Sequence, residues 1–398
     1  MRAATRGAIL TRMTSAAEHN FGAGEPLTVG VEEEYMLLDA TTFELCSRFD
    51  EVVEALADGP LDGRAHPELM QSTLEVASVI CRNVDELRSD LGTVRRGIAA
   101  AIEPLGIRLA GAGAHPFSRS EDQRITTRDR YRWLVEQLQY VARRELVFGM
   151  HVHVAVPDPD LAMHVMESLL AELPVLLALS ASSPFWRGEA TGLASTRTAI
   201  FASMPRSGQP PRFSSYDDYL EMVGTMEDAG TIDDYTYLWW DVRPHPRFGT
   251  VEIRVMDVQF DLDQTLMLAA YVQASVARAI DEARRGVLPL AHHRQLVSEN
   301  KWAAARYGLD ALLMDLAGDP RSRLPATELA RRSVERLAPY ARELGCADAL
   351  AEIERTISWG NGATRMMRAY NANRDMTELM RELAHATELR SGDPLSTS

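Results

Sequence analysis

The sequence is poor in cysteine, in cationic side chains and in long apolar runs, and each shortage excludes something. Its 398 residues contain three cysteines, Cys46, Cys81 and Cys346. They share no ligand-like spacing, so neither a disulfide framework nor a zinc-ribbon cluster follows from them. A reducing, cytoplasmic setting is the simplest expectation. Lysine and arginine number 42 against 57 aspartates and glutamates, a net charge of −15. That balance argues against nucleic acid or an anionic membrane as the main partner. No uninterrupted apolar run approaches the ~18 residues that would span a bilayer. Several signatures are also missing: there is no GxxxxGK[ST] phosphate loop, no HExxH, no GxSxG and no catalytic-cysteine context. GAGAHP, at 111–116, carries only part of a dinucleotide-turn pattern and is set aside.

What is present begins with a basic, small-residue-rich start, MRAATRGAILTRMTSAAEHNFGAGEP, whose longest apolar run is Ala8 to Leu10. That run is too short for a signal-peptide core. Residues 1–24 are expected to be a flexible leader, with Met13 as an alternative start, and residues 391–398 a flexible tail. The length of the remainder allows one elaborated domain or two. Helical spacing runs over 84–102, 130–146, 161–181 (with a kink at Pro174) and 264–285, and the chain after Gln295 reads as all-helical to Gly345 and beyond. SMPRSGQPP, at 203–211, reads as a loop that stays mobile unless a ligand pins it.

Four stretches break the helical pattern by alternating. In TVGVEEEYMLLD (28–39), period two puts Val29, Val31, Tyr35 and Leu37 on one face and Gly30, Glu32, Glu34 and Met36 on the other. Glu33 then falls on the apolar face, which alternation does not explain. GMHVHVAV (149–156) places His151 and His153 together; TVEIRVMD (250–257) does the same for Glu252 and Arg254; STLEVASVI (72–80) offers Glu75. Singly, each is a solvated sheet face, and Glu252 with Arg254 is a surface ion pair of ~0–1 kcal/mol. Strands sharing one sheet change the weighing, because Glu32, Glu34, Glu75 and Glu252 would meet on one floor. Two like charges ~4 Å apart repel by about 4 kcal/mol at an effective dielectric of 20. Such a floor requires cations, and carboxylates suit Mg²⁺ or Mn²⁺, whose remaining ligands are commonly waters and phosphates. Arg197, Arg243, Arg247 and Arg254 add guanidinium groups that bind phosphate or carboxylate in bidentate fashion. Alternation also predicts that Glu252→Gln removes activity while leaving stability nearly unchanged.

GVEEEYMLLD, HPELMQSTLEVAS, GMHVHVAVPD, WWDVRPHPRFGTVEIRVMD and ENKWAAARYGLDA lie in order between about Leu27 and about Tyr370. Together they resemble the bacterial carboxylate–amine ligase family, also called the type 2 glutamate–cysteine ligase family. That family is similar to glutamate–cysteine ligases and, more distantly, to glutamine synthetase. The resemblance implies an α+β fold over residues 25–390, a single catalytic domain in which a curved antiparallel sheet of about six strands carries helices on its convex face. It implies ATP-dependent amide formation through an acyl phosphate, with Mg²⁺ or Mn²⁺, a carboxylate (glutamate by default) and an amine (cysteine by default); a homodimer is the expected assembly. Glu32, Glu34, Glu68, Glu75 and Glu252 match metal-binding acids. Arg254, His151 and Arg197 are the expected catalytic groups, and Arg254, His153 and Lys301 the expected nucleotide contacts. Asn300 and Arg306 match a segment without an assigned role. Two rival readings are a zinc hydrolase using His151 and His153 and a non-catalytic nucleotide-binding relative.

Overall fold

The structure, a computed structural model, describes residues 14–290 and 292–389. Seven strands form its central sheet: β1 (Val29–Asp39), β2 (Ala65–Pro67), β3 (Thr73–Ala77), β4 (Ile107–Ala110), β5 (Gly149–Ala155), β6 (Val242–His245) and β7 (Thr250–Asp257). Their order is β6-β7-β5-β1-β3-β2, with β4 added beside the C-terminal half of β1, and every pairing is antiparallel. The alternating stretches are these strands, to within a residue at 28–39, 149–156 and 250–257. The stretch 72–80 is shorter than expected, because the chain leaves the sheet after Ala77 and turns Val79 and Ile80 outward.

Helices cover one face. The helices Val84–Ile102 (α1) and Leu262–Arg284 (α4) pack on β1, α1 also reaching β4 and α4 reaching β5; Pro159–Leu169 (α2) and Leu173–Ser180 (α3) pack on β7. Against them lie Val29, Val31, Tyr35 and Leu37 of β1, with Val152, Val154, Val251 and Ile253, all buried. Burying each such side chain contributes ~1.5–3 kcal/mol. Helices Ala326–Glu343 and Ala347–Trp359 form an outer layer on α4. The start of α1 is set by Asn83, whose side chain accepts the backbone N–H of Glu86.

Glu33 now has an account. It is fully buried on the helix-covered face and pairs with Arg95 of α1, which is equally buried. It also accepts hydrogen bonds from the hydroxyls of Tyr35 and Thr265, the latter at 2.8 Å from α4. The middle acid of the triplet is thus a tie between β1 and two helices.

Several expected elements differ. Residues 130–146 form two helices, Asp129–Leu138 and Tyr140–Arg143, separated at Gln139, where φ is 46°. The 161–181 stretch is α2 and α3, bent by 65°, and Pro174 lies in the first turn of α3 rather than kinking a continuous helix. A two-stranded hairpin, Leu312–Met314 with Arg323–Pro325, interrupts the supposed all-helical C-terminal part. The loop at 203–211 is pinned by the protein itself: Ser207–Gly208 pairs with Trp239–Trp240, Gln209 donates to Ser298, and Arg294 donates to the Pro210 carbonyl. Residues 14–24, expected within the flexible leader, pack against the body, with Ala16 and Phe21 buried and the Tyr216 hydroxyl donating to the Ala16 carbonyl. Residues 1–13 and 391–398 lie outside the described residues. Among the described residues no single helix is long and apolar enough to cross a membrane.

Candidate active site

The antiparallel register assembles the polar face. Glu32 of β1 stands opposite His151 of β5, Glu34 opposite Glu75 of β3, and Glu252 of β7 opposite His153 of β5. Because residues directly opposite share a face, all of these side chains project away from the helices. A register shift between Ile253 and Met256 bulges β7 beside Arg254. The outcome is two groups of ligand-type atoms, each lying within 4.8 Å of one another: Glu32, His151 and Glu252, and Glu34, Glu68 and Glu75. His151 connects them, its Nδ1 3.1 Å from Glu32 and 4.0 Å from Glu252, its Nε2 3.8 Å from Glu34.

The electrostatics of the second group are those of acids short of a counter-charge. Burial, reinforced by Glu34, pushes Glu68 up to about 7. Burial together with Glu32, Glu68 and Glu34 holds Glu75 well above the ordinary carboxylate range. The Nε2 of His153 lies 3.4 Å from Glu32, and the Nε2 of His151 is buried without a hydrogen-bond partner. An all-carboxylate triad short of counter-charge fits hard divalent cations. The first group is different, because Glu252 already has guanidinium partners. Arg243, opposite it on β6, approaches at 2.6 Å, and Arg254 pairs with it as well. Against the penalty of burial, these two arginines hold Glu252 well below its usual range. Glu252 is therefore a structural anion as well as a candidate ligand.

Two cavities flank this floor. The smaller, about 130 Å³, is lined by Glu34, Glu68, His151, Arg197, Arg254 and Glu145, with Tyr131 and Trp239 in its wall. Arg197 is held by the Arg254 and Val255 carbonyls at 3.1 and 3.3 Å, leaving its buried Nε unpartnered. A Cβ on Gly149 would press on the Arg197 guanidinium and force it to shift, and the Gly149 N–H donates to Glu34. The larger cavity, about 680 Å³, lies by Glu32 and His153 and is bounded by Val29, Ile80, Arg247 and Phe248. His153 accepts or donates a 3.0 Å hydrogen bond with Thr250 and meets the rings of His245 and Phe248, which stack at 4.2 Å. Among the described residues His153 joins no metal-type cluster with His151, which does not favour the zinc reading.

Lys301, expected here as a nucleotide contact, is engaged elsewhere, as are Asn300 and Arg306, whose role was left open. Lys301 lines neither cavity; its ammonium sits 2.6 Å from both Asp241 oxygens. Asn300 clasps Met314 through its main-chain N–H and carbonyl, and Arg306 donates to the Gly192 carbonyl, so both are structural. Sequence reading missed Glu145, because it placed 130–146 in one continuous helix. It also missed Arg243 as the partner of Glu252, although the turn at 246–249, closed by Gly249 at φ 68°, carries the register.

The description "Glutamate-cysteine ligase family 2 (GCS2)" matches residues 28–386 of this chain. A Rubrobacter xylanophilus protein named "Putative glutamate--cysteine ligase 2-1" is 41% identical over 368 residues, covering 92% of this chain and 96% of that protein. Among solved structures, a glutamate–cysteine ligase from Francisella tularensis in complex with AMP superposes with a TM-score of 0.67 at 13% identity, covering 92% of this chain and 89% of that one. A bifunctional glutathione synthetase from Pasteurella multocida gives 0.64 at 14%, covering 91% of this chain and 52% of that one. At those identities the two structures speak for the fold alone.

Proposed function

Since the chain belongs to glutamate–cysteine ligase family 2, we propose that it joins a carboxylate to an amine at the expense of ATP, through an acyl phosphate, releasing ADP and phosphate. Glutamate and cysteine, the substrates in the names of its relatives, are the first pair to test. The observation that carries this reading is the pair of carboxylate clusters set on one sheet face between two cavities.

The larger, mostly apolar cavity suits a nucleoside, with the His245–Phe248 stack beside it as an aromatic surface. The smaller, charged cavity suits the carboxylate and the amine. Glu34, Glu68 and Glu75, with Glu32 and His151, would hold Mg²⁺ or Mn²⁺, which supplies charge neutralisation to phosphate oxygens. Arg254 and Arg197 project donors into the smaller cavity and are fixed by Glu252 and by main-chain carbonyls. Preorganised donors of this kind stabilise charge on a transferring phosphoryl group without reorganising. Trp239 and Met204 wall the same cavity and exclude water from a hydrolysable intermediate.

Hydroxylamine tests this directly. With ATP, Mg²⁺ and glutamate, and then with other carboxylates, the protein should yield a hydroxamate and an equal amount of ADP. AMP and pyrophosphate in place of ADP would replace the acyl phosphate with an adenylate and end this mechanism.

A further inference from the structure

Glu145 is an acid in the smaller cavity that neither metal-type cluster uses. It follows the short helix Tyr140–Arg143 and precedes β5, so the break at Gln139 is what turns it toward the cavity. Its Oε2 is sealed from solvent and has no hydrogen-bond partner. The other acids of that cavity are engaged: Glu34 accepts the Gly149 N–H, and Glu68 accepts the Leu69 N–H and faces Glu75. Leaving a carboxylate oxygen buried without a partner is unfavourable. The guanidinium groups of Arg197 and Arg254 line the same space, and Arg197 has its own unpartnered buried Nε. An acid with one unpartnered oxygen and two arginines, each with an unpartnered Nε, thus wall the same cavity.

We infer that Glu145 receives the ammonium group of the amine substrate and takes its first proton. This rests on the ligase reading and adds to it the recognition of the second substrate. An amine arrives as a cation and cannot attack until a proton leaves. In the step assigned here, that proton passes to the Glu145 carboxylate. The nitrogen lone pair then forms the C–N bond while the C–O bond to phosphate breaks, and the phosphate departs with that electron pair. The second nitrogen proton leaves on the phosphate as hydrogen phosphate. Burial, opposed by Arg197 but reinforced by Glu34 and Glu68, pushes the Glu145 carboxyl up to about 8. A cation beside it would favour ionisation, and a base with a pKa near working pH serves proton transfer well. The arginine donors fit a second charge of opposite sign on the same substrate, so an amino acid is the class expected.

The test is a competition between two small nucleophiles, ammonium chloride, which is charged at neutral pH, and hydroxylamine, which is not. Each is supplied with ATP, Mg²⁺ and the carboxylate that supports hydroxamate formation, and the ratio of amide to hydroxamate is measured. Glu145→Gln should lower that ratio on the order of 10²-fold, while Glu145→Asp, which keeps the charge, should retain more of it. An unchanged ratio in Glu145→Gln, equal losses in Gln and Asp, or no ammonium incorporation by the unaltered protein would each overturn the assignment. Absence of hydroxamate from the unaltered protein would instead refute the ligase reading beneath it. Glu145→Asp keeps the question answerable if the Gln variant does not fold.

Discussion

Glu252 is 1% exposed and lies between Arg243 and Arg254. Alternation placed it on the polar face, where it is, but could not reveal that this face is closed over and that a neighbouring strand brings a second arginine. The expectation that Glu252→Gln would leave stability nearly unchanged therefore gives way. Removing its charge strands two buried guanidinium groups, and breaking a buried pair in this way costs about 3–5 kcal/mol. Glutamine keeps part of the hydrogen bonding, so a loss of about 3 kcal/mol in urea denaturation is expected; an unchanged midpoint would mean that the arginines do not depend on Glu252. Arg254→Lys bears on chemistry. A lysine cannot reproduce the planar fork that pairs with Glu252 while directing further donors into the cavity. Hydroxamate formation should fall by on the order of 10²-fold, and a variant within twofold of the original would remove Arg254 from the phosphate-facing role.

The strands were legible because their apolar residues alternate strictly, and the polar face followed from the same period. Helix 84–102 was legible from its apolar spacing, with Asp85 and Glu86 in its first turn; the cap at Asn83 emerges from the structure. What could not be read was pairing between elements. Glu33 looked misplaced because its partners, Arg95 and Thr265, lie 62 and 232 residues away. The same gap hid Glu145, whose position depends on a backbone reversal at Gln139 that no glycine announces. If the Glu33–Arg95 tie joins β1 to α1 and α4, then Arg95→Met alone should destabilise by about 3–5 kcal/mol. Combining it with Glu33→Leu should restore much of that loss, because an apolar pair leaves no buried charge uncompensated. A double variant as unstable as the sum of the single ones would show that the tie is not a coupled pair.

At the scale of the whole molecule, the acidic face should make the metal-free protein respond to pH in an unusual direction. Glu68, pushed up to about 7, and Glu145, pushed up to about 8, hold protons in the folded state that the unfolded chain releases near 4.3. Stability falls with rising pH wherever the folded state binds more protons. Below about 6.5 the buried histidines His115 and His245 oppose this, because burial lowers them to about 4 and about 3 and the unfolded chain takes up the protons. Between about 6.5 and about 8 the acids prevail. Thermal stability in EDTA should decline across that interval, and Mg²⁺ should restore it more at the upper end. A flat profile in EDTA would mean that the acids are already compensated within the protein.

The carboxylate floor is expected to hold the divalent cations through which nucleotide phosphates bind. Titration calorimetry of ATP into the protein, with Mg²⁺ and again with EDTA, addresses it most directly. Binding should be strong with Mg²⁺ or Mn²⁺ and lost with EDTA, because without a cation Glu32, Glu34, Glu68 and Glu75 offer the triphosphate no positive charge. Equal affinity in the two titrations would contradict the account.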